Sequence, residues 1–468
     1  MAPVATRDAA RRFHLAARRL AALDLAERGL KRRPDDRACL AWRADLLKSL
    51  DLPHDTAARR GGGFGVDLAE ACLDPFAEIG LPQVESAALY LAQFDPDIDD
   101  ARLVEAHRAW GRRNADPLPR YSHSPATRER LRVGYVSADL GRHPVGRLLL
   151  DVLPAHDRDA FDIHVYSDRL AEDDVTERLR AGSAWHRTAG LDDEALAARI
   201  RDDGVDVLVD LAGHTWDNRL LAFARKPAPA QVSFLGYGAT IGMTAMDAVL
   251  SDPWEAPTTA HFTESVVRLP SGRLVPPNLV SRLPRSSPPV FGSLNKLVKL
   301  SPPTIALWAR LLRQVPEAQL FLQSSGLERP EIRRLAVEAF AAYGVAEDRL
   351  ELRGAMPDGE HLRAYRRIDV ALDPFPFGGG VTTWEALSAG VPVVALAGSR
   401  PLARQSLSVI ARSGLGDLIA ADADAYVQIA ADAVGRSLPR TDPVPAQARE
   451  LEAAYRQLSG KRRGSSPE

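Results

Sequence analysis

Residues 372–387 read LDPFPFGGGVTTWEAL, and this stretch decides the fold of the C-terminal half of the chain. An apolar strand ends at Asp373, three consecutive glycines follow, and a helix begins near Thr382. A strand, a glycine-rich loop and a helix in this order are typical of Rossmann-like α/β units, whose ligands bind at the carboxyl ends of the strands. The stretch therefore predicts an α/β fold with a ligand site at this turn.

The chemistry of the turn suits a diphosphate. Glycines let backbone amides approach an anion closely, and a helix N-terminus carries partial positive charge. Glu385, in the predicted first turn of the helix, is placed to accept hydrogen bonds from ribose hydroxyls. The predicted phosphate-binding residues are Gly379, Gly380, Thr382 and Thr383. Because the turn matches neither a Walker loop nor the dinucleotide fingerprint, a plain glycine-rich turn capped by Thr382 is an equally good interpretation.

The alternation of predicted strands and helices extends over most of the chain. Short apolar runs alternate with amphipathic helices from residue 131, where LRVGYVS predicts a buried strand. The proline- and serine-rich stretch 271–289 interrupts the alternation and predicts a linker. Two consecutive α/β units predict two Rossmann-like lobes facing a cleft that holds the ligand.

The N-terminal part of the chain has a helical pattern. Its apolar positions recur at helical spacing, and residues 26–36 resemble the junction of two tetratricopeptide repeats, with Asp35 or Asp36 as helix cap. RRGGG at 59–63 predicts a flexible joint, and 67–113 predicts further helix. The predicted division is a helical repeat remnant at 1–60, helices and a linker at 61–128, a first lobe at 129–275, a second lobe at 287–440, and a helix with a polar tail at 441–468.

Charge and composition argue against several classes of protein. The 468 residues include 60 Lys+Arg and 62 Asp+Glu, a net charge of -2 that argues against nucleic-acid binding. The two cysteines, Cys39 and Cys72, cannot form a disulfide framework. Without a run of about 18 apolar residues or an apolar N-terminal signal, the sequence predicts a cytoplasmic protein with no membrane partner.

Lysine is rare, and its positions are therefore informative. Six of the 60 basic residues are lysines, and two of them, Lys296 and Lys299, follow the first predicted strand of the second lobe in FGSLNKLVK at 291–299. A lysine ammonium is a compact charge suited to a phosphate oxygen. We expect Asn295, Lys296 and Lys299 to contact a ligand phosphate, although a solvated helix start is the more common reason for such a pattern.

Three histidines lie at predicted strand ends or helix starts: His143, His214 and His361. An imidazole at such a position can exchange protons near neutral pH or donate to phosphate, but a single histidine is more often structural. Their spacing does not match a metal site. No predicted strand is followed by Asp-x-Asp, so we expect no metal and predict that Lys299 and the helix terminus offset the phosphate charge.

Five collinear motifs resemble the protein O-linked N-acetylglucosamine transferases and the related SPINDLY proteins. They are VGYVS at 133–137 with His143-Pro144, DVLVDLAGHT at 206–215, RKPAPAQ at 225–231 with LGY at 235–237, FGSLNKLVK at 291–299, and the stretch from 372 to 392. The resemblance implies a GT-B fold of two facing lobes, with the acceptor side in the first lobe and the donor side in the second. It also implies inverting, metal-independent transfer of N-acetylglucosamine from UDP-GlcNAc to Ser or Thr hydroxyls of proteins, with no other cofactor.

The resemblance also suggests roles for single residues. Lys299 is similar to the family lysine at the donor diphosphate, His361 to a histidine near the nucleotide, and His143 to an active-site histidine of the first lobe. It implies an acceptor or sugar side formed by His214, Gly236 and Tyr237. The chain departs from the animal enzymes at Val381, where they carry histidine, and at Lys296, where they carry glutamine.

Other functions are compatible with the same sequence. A protein O-fucosyltransferase that uses GDP-fucose is the nearest alternative, and glucosyl transfer to asparagine is a more distant one. A non-catalytic nucleotide-sugar sensor and a helical-repeat adaptor belong to different classes of protein.

Overall fold

The predicted alternation of strands and helices forms two parallel sheets, one of seven strands and one of six. The structure is a computed structural model. It describes residues 4–50, 71, 73–123, 128–281, 288–356, 360–441 and 447–461. The predicted joint at 59–63 and Cys72 lie outside the described residues. Contacts divide the chain into a seven-stranded unit (74–90, 100–275 and 445–468) and a six-stranded unit (1–73, 91–99 and 276–444).

The seven-stranded sheet has the order β3-β2-β1-β4-β5-β6-β7, and all neighbours are parallel. Its strands are β1 Leu131–Ser137, β2 Phe161–Ser167, β3 Ala184–Arg187, β4 Val207–Asp210, β5 Ala230–Ser233, β6 Ala248–Ser251 and β7 Ser265–Arg268. The inner strands β4, β5 and β6 are buried at every position, as expected of a sheet covered on both faces.

The helices of this unit begin with α3 Pro82–Ala92, whose last two residues fall in the other unit, and α4 Asp100–Trp110, which continues into a π-helical turn at Gly111–Ala115. They continue with α5 Pro144–Val152, α6 Asp174–Arg180, α7 Asp193–Asp202 and α8 Leu220–Ala224. The sequence analysis missed α6, β3 and β7. β3 and β7 are edge strands with partly exposed residues, so neither contains the apolar run that marked the others.

The six-stranded sheet has the order β10-β9-β8-β11-β12-β13, again with parallel neighbours. Its strands are β8 Val290–Ser293, β9 Gln319–Gln323, β10 Leu350–Arg353, β11 Val370–Leu372, β12 Val393–Leu396 and β13 Ile419–Ala420. The helices are α9 Pro302–Gln314, α10 Pro330–Ala341, α11 His361–Ala364, α12 Val381–Ser388, α13 Pro401–Arg412 and α14 Ala423–Asp432. In the described part of this unit, 3₁₀ turns lie at Leu297–Lys299, Glu347–Arg349, Tyr365–Arg367 and Gly416–Leu418. This topology confirms the second predicted Rossmann-like unit.

The N-terminal helices belong to the six-stranded unit. They are α1 Val4–Arg32 and α2 Arg37–Ser49, and α1 packs on α2 and on α10. Asp36 caps α2 by accepting a hydrogen bond from the amide of Cys39 at 2.9 Å, which confirms one of the two predicted caps. The predicted helical run 67–113 is wrong as a continuous element, because residues 93–99 leave the helical path between α3 and α4.

The C-terminal helix, α15 Ala448–Lys461, is part of the seven-stranded unit. Its Tyr455 hydroxyl lies 3.0 Å from that of Tyr135 on β1, and both side chains are buried. Glu452 accepts hydrogen bonds from the amide of Asp157 at 2.7 Å and from His156 at 3.2 Å. This helix therefore completes a unit whose sheet begins more than three hundred residues earlier. Among the described residues, none of the helices combines the length and apolarity needed to cross a membrane.

Candidate active site

The glycine-rich turn follows β11 and leads directly into α12. Gly380 has a φ of +56°, which favours glycine, and a Cβ there would lie 2.9 Å from the side chain of Gln405. A Cβ on Gly379 would lie 2.5 Å from the Thr383 hydroxyl. The two glycines are therefore required by the path of the backbone and by its close packing.

The amide of Gly379 is directed into the unit and not toward open space. It donates to the Asp373 carboxylate at 2.6 Å and lies 2.7 Å from the hydroxyl of Ser406. The Thr383 hydroxyl lies beside the same pair, 3.1 Å from Ser406 and 3.4 Å from Asp373. In the structure this amide and this hydroxyl hold the turn in shape, and the phosphate-binding role of Gly379 and Thr383 stays a prediction.

Lys299 lies against this turn. Its ammonium donates to the carbonyl of Gly378 at 2.6 Å and to the side-chain oxygen of Asn295 at 3.1 Å, and it lies 4.6 Å from the centre of the Phe377 ring. The side chain is only 8% exposed, so few of its polar contacts are with water. The 3₁₀ turn at Leu297–Lys299 directs Lys299 inward and leaves Lys296 exposed, so the two predicted lysines have different surroundings.

Burial sets the charge of this lysine. Removal from water lowers the pKa of Lys299 to about 7, partly opposed by the nearby Asp373 carboxylate. Burial likewise raises the pKa of Asp373 to about 6. A buried amine with a pKa near neutrality is stabilised in its charged form by any additional anion, and such perturbed groups are common at functional sites.

Asn295 and Thr382 connect the lysine to the start of α12. The Thr382 hydroxyl lies 2.8 Å from the Asn295 side-chain oxygen and 2.9 Å from the carbonyl of Gly379. Tyr365 donates its hydroxyl to the Thr382 carbonyl at 3.0 Å. The structure thus brings together Asn295, Lys299, the glycines and Thr382, which the sequence had suggested separately.

His361 and Glu385 form a second pair beside the turn. Nε2 of His361 lies 3.3 Å from a carboxylate oxygen of Glu385, and both side chains are partly exposed. Because α12 begins at Val381, Glu385 lies in its second turn, which corrects the predicted first-turn position. The pair has the hydrogen-bonding groups that a ribose requires, and this role remains a prediction.

A segment distant in sequence supports the lysine. Phe94 stacks on Phe377 with ring centres 4.5 Å apart, so the ring beneath the ammonium is itself held in place. The guanidinium of Arg400 donates to the carbonyls of Gln93, Asp95 and Ile98 at 3.2, 3.2 and 2.5 Å, which fixes the segment that carries Phe94.

Several residues of this site were not predicted from the sequence: Asp373 as the hydrogen-bond acceptor that holds the turn, Phe94, Phe377, Gln405 and Ser406. Gln405 donates to the Gly378 carbonyl at 2.7 Å, beside the lysine. An acidic residue at a strand end before three glycines was a usable signal for Asp373. The other four carried none, because their partners lie on other elements of the unit.

In the seven-stranded unit, His143 is the N-cap of α5. Its Nδ1 accepts a hydrogen bond from the amide of Val145 at 3.3 Å and lies 3.6 Å from the Asp139 carboxylate. When Nδ1 accepts, the proton of the neutral ring is on Nε2, and the ring is a donor toward any substrate. In the other tautomer the proton is on Nδ1, where it faces the Asp139 carboxylate, and Nε2 is an acceptor.

The three residues predicted for the acceptor side lie in a closed polar cluster. Nδ1 of His214 lies 2.7 Å from the Ser86 hydroxyl and Nε2 lies 2.8 Å from the Ile241 carbonyl, while burial, reinforced by His107, holds its pKa well below the ordinary value. The Tyr237 hydroxyl lies 2.8 Å from Nε2 of His107, and both Tyr237 and His214 are buried. A Cβ on Gly236 would collide with the backbone of Leu211.

This closed arrangement does not support an acceptor-side role for His214, Gly236 and Tyr237. Each of the two ring nitrogens and the hydroxyl already has a partner inside the unit. The three residues hold loops together, as buried polar groups with complete hydrogen bonding do.

Two Rossmann-like units, one of them with a buried lysine against a glycine-rich strand–helix turn, define the class of GT-B-type glycosyltransferases. The family model described as "Glycosyl transferase family 41" matches residues 115–278 and 267–441, more than half of the chain. The chain belongs to this family, and the predicted resemblance and fold class are confirmed.

Known relatives agree with this assignment. The rice protein named "Probable UDP-N-acetylglucosamine--peptide N-acetylglucosaminyltransferase SPINDLY" (Oryza sativa subsp. japonica) is 34% identical over 370 residues, which cover 74% of this chain and 39% of that protein. The SEC protein of Arabidopsis thaliana, with the same enzyme name, is 31% identical over 328 residues, covering 64% and 33%. The chain therefore spans about two fifths of the rice protein and a third of SEC.

A solved structure matches almost throughout. A mutant of the O-GlcNAc transferase from Thermobaculum terrenum is 32% identical, and the match covers 98% of this chain and 99% of that chain with a TM-score of 0.77.

Proposed function

We propose that this protein transfers N-acetylglucosamine from UDP-GlcNAc to Ser or Thr hydroxyls of protein acceptors. The observation that carries the proposal is the buried Lys299 ammonium, in contact with Gly378 and Asn295 at the start of α12. The names of the matched relatives supply the nucleotide sugar and the peptide acceptor. The acceptor, the inverting course and the absence of a catalytic metal remain parts of the proposal.

The reaction is a displacement at the anomeric carbon. The acceptor oxygen forms a bond to that carbon as the bond to the diphosphate oxygen breaks, and the acceptor proton passes to a base. Negative charge develops on the departing UDP, where one ammonium group and the N-terminus of α12 oppose it. A preorganised donor of this kind contributes about 3–4 kcal/mol to stabilising the transition state.

The buried lysine needs little rearrangement to act. Its three N–H groups are directed at backbone and side-chain oxygens of its own unit, including Gly378 and Asn295. A diphosphate oxygen would replace one of these neutral acceptors with a charged one, and charge-assisted hydrogen bonds are about twice as strong as neutral ones. The anion would also raise the lysine pKa, so the bound donor keeps the amine charged.

We assign His143 to the active site as a group that orients a substrate oxygen. In the tautomer favoured by the Val145 amide, Nε2 donates. His143 can serve as the base only in the other tautomer, in which the proton is on Nδ1 and Nδ1–H donates a hydrogen bond to the Asp139 carboxylate. The base therefore stays open, and an Asp139→Asn variant would separate the two roles by its pH profile.

A ligand screen followed by a transfer assay tests the proposal. Thermal shift with UDP, GDP, UDP-GlcNAc and GDP-fucose detects a ligand, because saturation at about 100 times Kd stabilises a protein by about 2.7 kcal/mol. Mass spectrometry of a Ser/Thr peptide library then detects the transferred sugar.

The outcomes separate the candidate functions. Transfer from UDP-GlcNAc is expected, and transfer from GDP-fucose alone would replace this donor with the alternative. Binding of UDP without any transfer or donor hydrolysis would identify a sensor and refute the transferase proposal. No response to any nucleotide would favour an adaptor.

A further inference from the structure

A cluster of two histidines and a carboxylate lies at the edge of the seven-stranded sheet. His164 on β2 and His186 on the edge strand β3 face the same side, because Tyr166 is the register partner of His186 and His164 that of Ala184. Asp203 follows the end of α7. The nearest ligand atoms of these three residues all lie within 4.8 Å of one another.

The spacing of the two rings fits a shared metal ion. Nδ1 of His164 lies 3.2 Å from Nε2 of His186, and that atom lies 3.8 Å from a carboxylate oxygen of Asp203. Ligands of a tetrahedral zinc ion with Zn–N bonds of about 2.0–2.1 Å lie about 3.3 Å apart. The imidazole pair already has this spacing, and a small movement of Asp203 would bring it to the same distance.

The surroundings orient two of the three groups. The far nitrogen of His164, Nε2, lies 3.4 Å from the Asp162 carboxylate, the partner that metal-bound histidines commonly have. The Tyr166 hydroxyl donates to Asp203 at 2.9 Å. His186 and Asp203 keep 16% and 17% of their side-chain surface exposed, so an ion from solvent can reach them.

We propose that His164, His186 and Asp203 bind a divalent transition-metal ion, with zinc as the best fit to two imidazoles and one carboxylate. Water would complete the tetrahedron. The bound ion would tie the edge strand β3 to β2 and to the end of α7, which stabilises a short strand with a single neighbour in the sheet.

This site is separate from the proposed transfer chemistry. None of the three ligands is among the residues assigned to sugar transfer. His164 lies in the middle of β2, and the register places His186 level with Tyr166 and Asp210. The metal proposal therefore does not depend on the proposed function.

Arg199 is the natural competitor of the metal. Its guanidinium donates to Asp203 at 2.9 Å and lies 3.0 Å from Nδ1 of His186, and Arg132 adds a second positive charge beside Asp162. A metal on Nε2 of His186 requires a proton on Nδ1, so Arg199 must turn away. Its side chain is 52% exposed and has room to do so.

Calorimetric titration of chelator-treated protein with ZnCl2 tests the proposal. We expect one zinc ion per chain. His186→Ala and Asp203→Asn should each weaken binding by about tenfold or more, since even an orienting partner of a ligand contributes that much. Arg199→Gln should strengthen it severalfold, because the competitor is removed. His261→Ala, a histidine outside the cluster, is the matched control and should bind as the wild type does.

Absence of stoichiometric binding by the wild type, or binding that both ligand variants retain, would overturn the proposal. Co²⁺ binding gives an independent readout in the wild-type protein, without substitution of any metal-binding residue. The intense visible bands of four-coordinate Co²⁺ are expected in the wild type, and a weak six-coordinate spectrum would also overturn it.

Discussion

At the scale of single residues, Lys299 combines a positive charge with surroundings that exclude water. We predict that Lys299→Ala lowers kcat by about a hundredfold or more, because the leaving diphosphate loses its ammonium partner. Steady-state kinetics with UDP-GlcNAc measures the change, and circular dichroism checks the fold. Lys31→Ala, an exposed lysine of the same unit, is the control and should keep full turnover. Equal turnover in both variants would remove Lys299 from the mechanism.

The lowered pKa of Lys299 predicts a pH-dependent affinity for the donor. Below pH 7 the amine is charged in the free and bound states, so affinity stays constant. Above its free pKa of about 7, binding must take up a proton, and the affinity for UDP-GlcNAc should fall by up to tenfold per pH unit.

Calorimetry between pH 6.5 and about 8.5, in buffers of different ionisation enthalpy, measures this proton uptake. Lys299→Met binds more weakly and should show a flat profile over the same range. A wild-type profile without slope would contradict the assigned charge change.

At the scale of elements, residues 91–99 support the site through Arg400. Its side chain is buried and satisfies three carbonyls of the segment that carries Phe94. We predict that Arg400→Ala destabilises the protein by roughly 2–4 kcal/mol, because these carbonyls lose their donor. Urea unfolding measures the loss. The same variant should bind UDP-GlcNAc more weakly, since Phe94 no longer fixes Phe377 under the ammonium.

Arg404 provides the matched comparison on the same helix. It is partly exposed and donates to the carbonyl of Gly398 at 2.8 Å, so water can replace the guanidinium and Arg404→Ala should cost about 1 kcal/mol. If the two variants lose equal stability, the clamp on residues 93–98 does not have the importance assigned to it.

At the scale of the whole molecule, each unit is assembled from segments far apart in the chain. Residues 445–468 belong to the seven-stranded unit, where α15 buries Leu451, Glu452 and Tyr455. We predict that deletion of 445–468 destabilises that unit by at least roughly 4 kcal/mol, because a buried aromatic and a buried leucine each contribute several kcal/mol.

Hydrogen exchange reports this effect locally. Peptides from β1 and from residues 155–161 should lose protection in the deletion variant. Peptides from β9, in the six-stranded unit, provide the internal control and should exchange as in the full chain. Unchanged protection of β1 would show that α15 is dispensable for its unit.

Much of the local structure could be predicted from sequence. The limits of β1 coincide with the predicted run LRVGYVS at 131–137, because a buried parallel strand has a distinct apolar pattern. The edge strands β3 and β7 escaped prediction, since half-exposed strands lack such a pattern. The continuous helix predicted over 67–113 failed because residues 91–99 pack in a different unit from their neighbours.

The candidate site, like the fold, was predictable only in part from the sequence. Rarity of lysine drew attention to Lys296 and Lys299, and only the 3₁₀ turn separates the exposed residue from the buried one. The family resemblance implies an acceptor or sugar side for His214 and Tyr237. Folding closed that position with Ser86 and His107 from α3 and α4, which no local pattern reveals.

Most of the order of strands and helices, the glycine-rich turn and the family could be predicted from the sequence, because these depend on residues close together in the chain. Tertiary structure alone decided which charges are buried and what they contact: Lys299 against Gly378, Phe377 held by Phe94, and α15 completing a distant sheet. The physical reason is that burial and pairing depend on segments brought together from afar, whereas local periodicity depends only on neighbours.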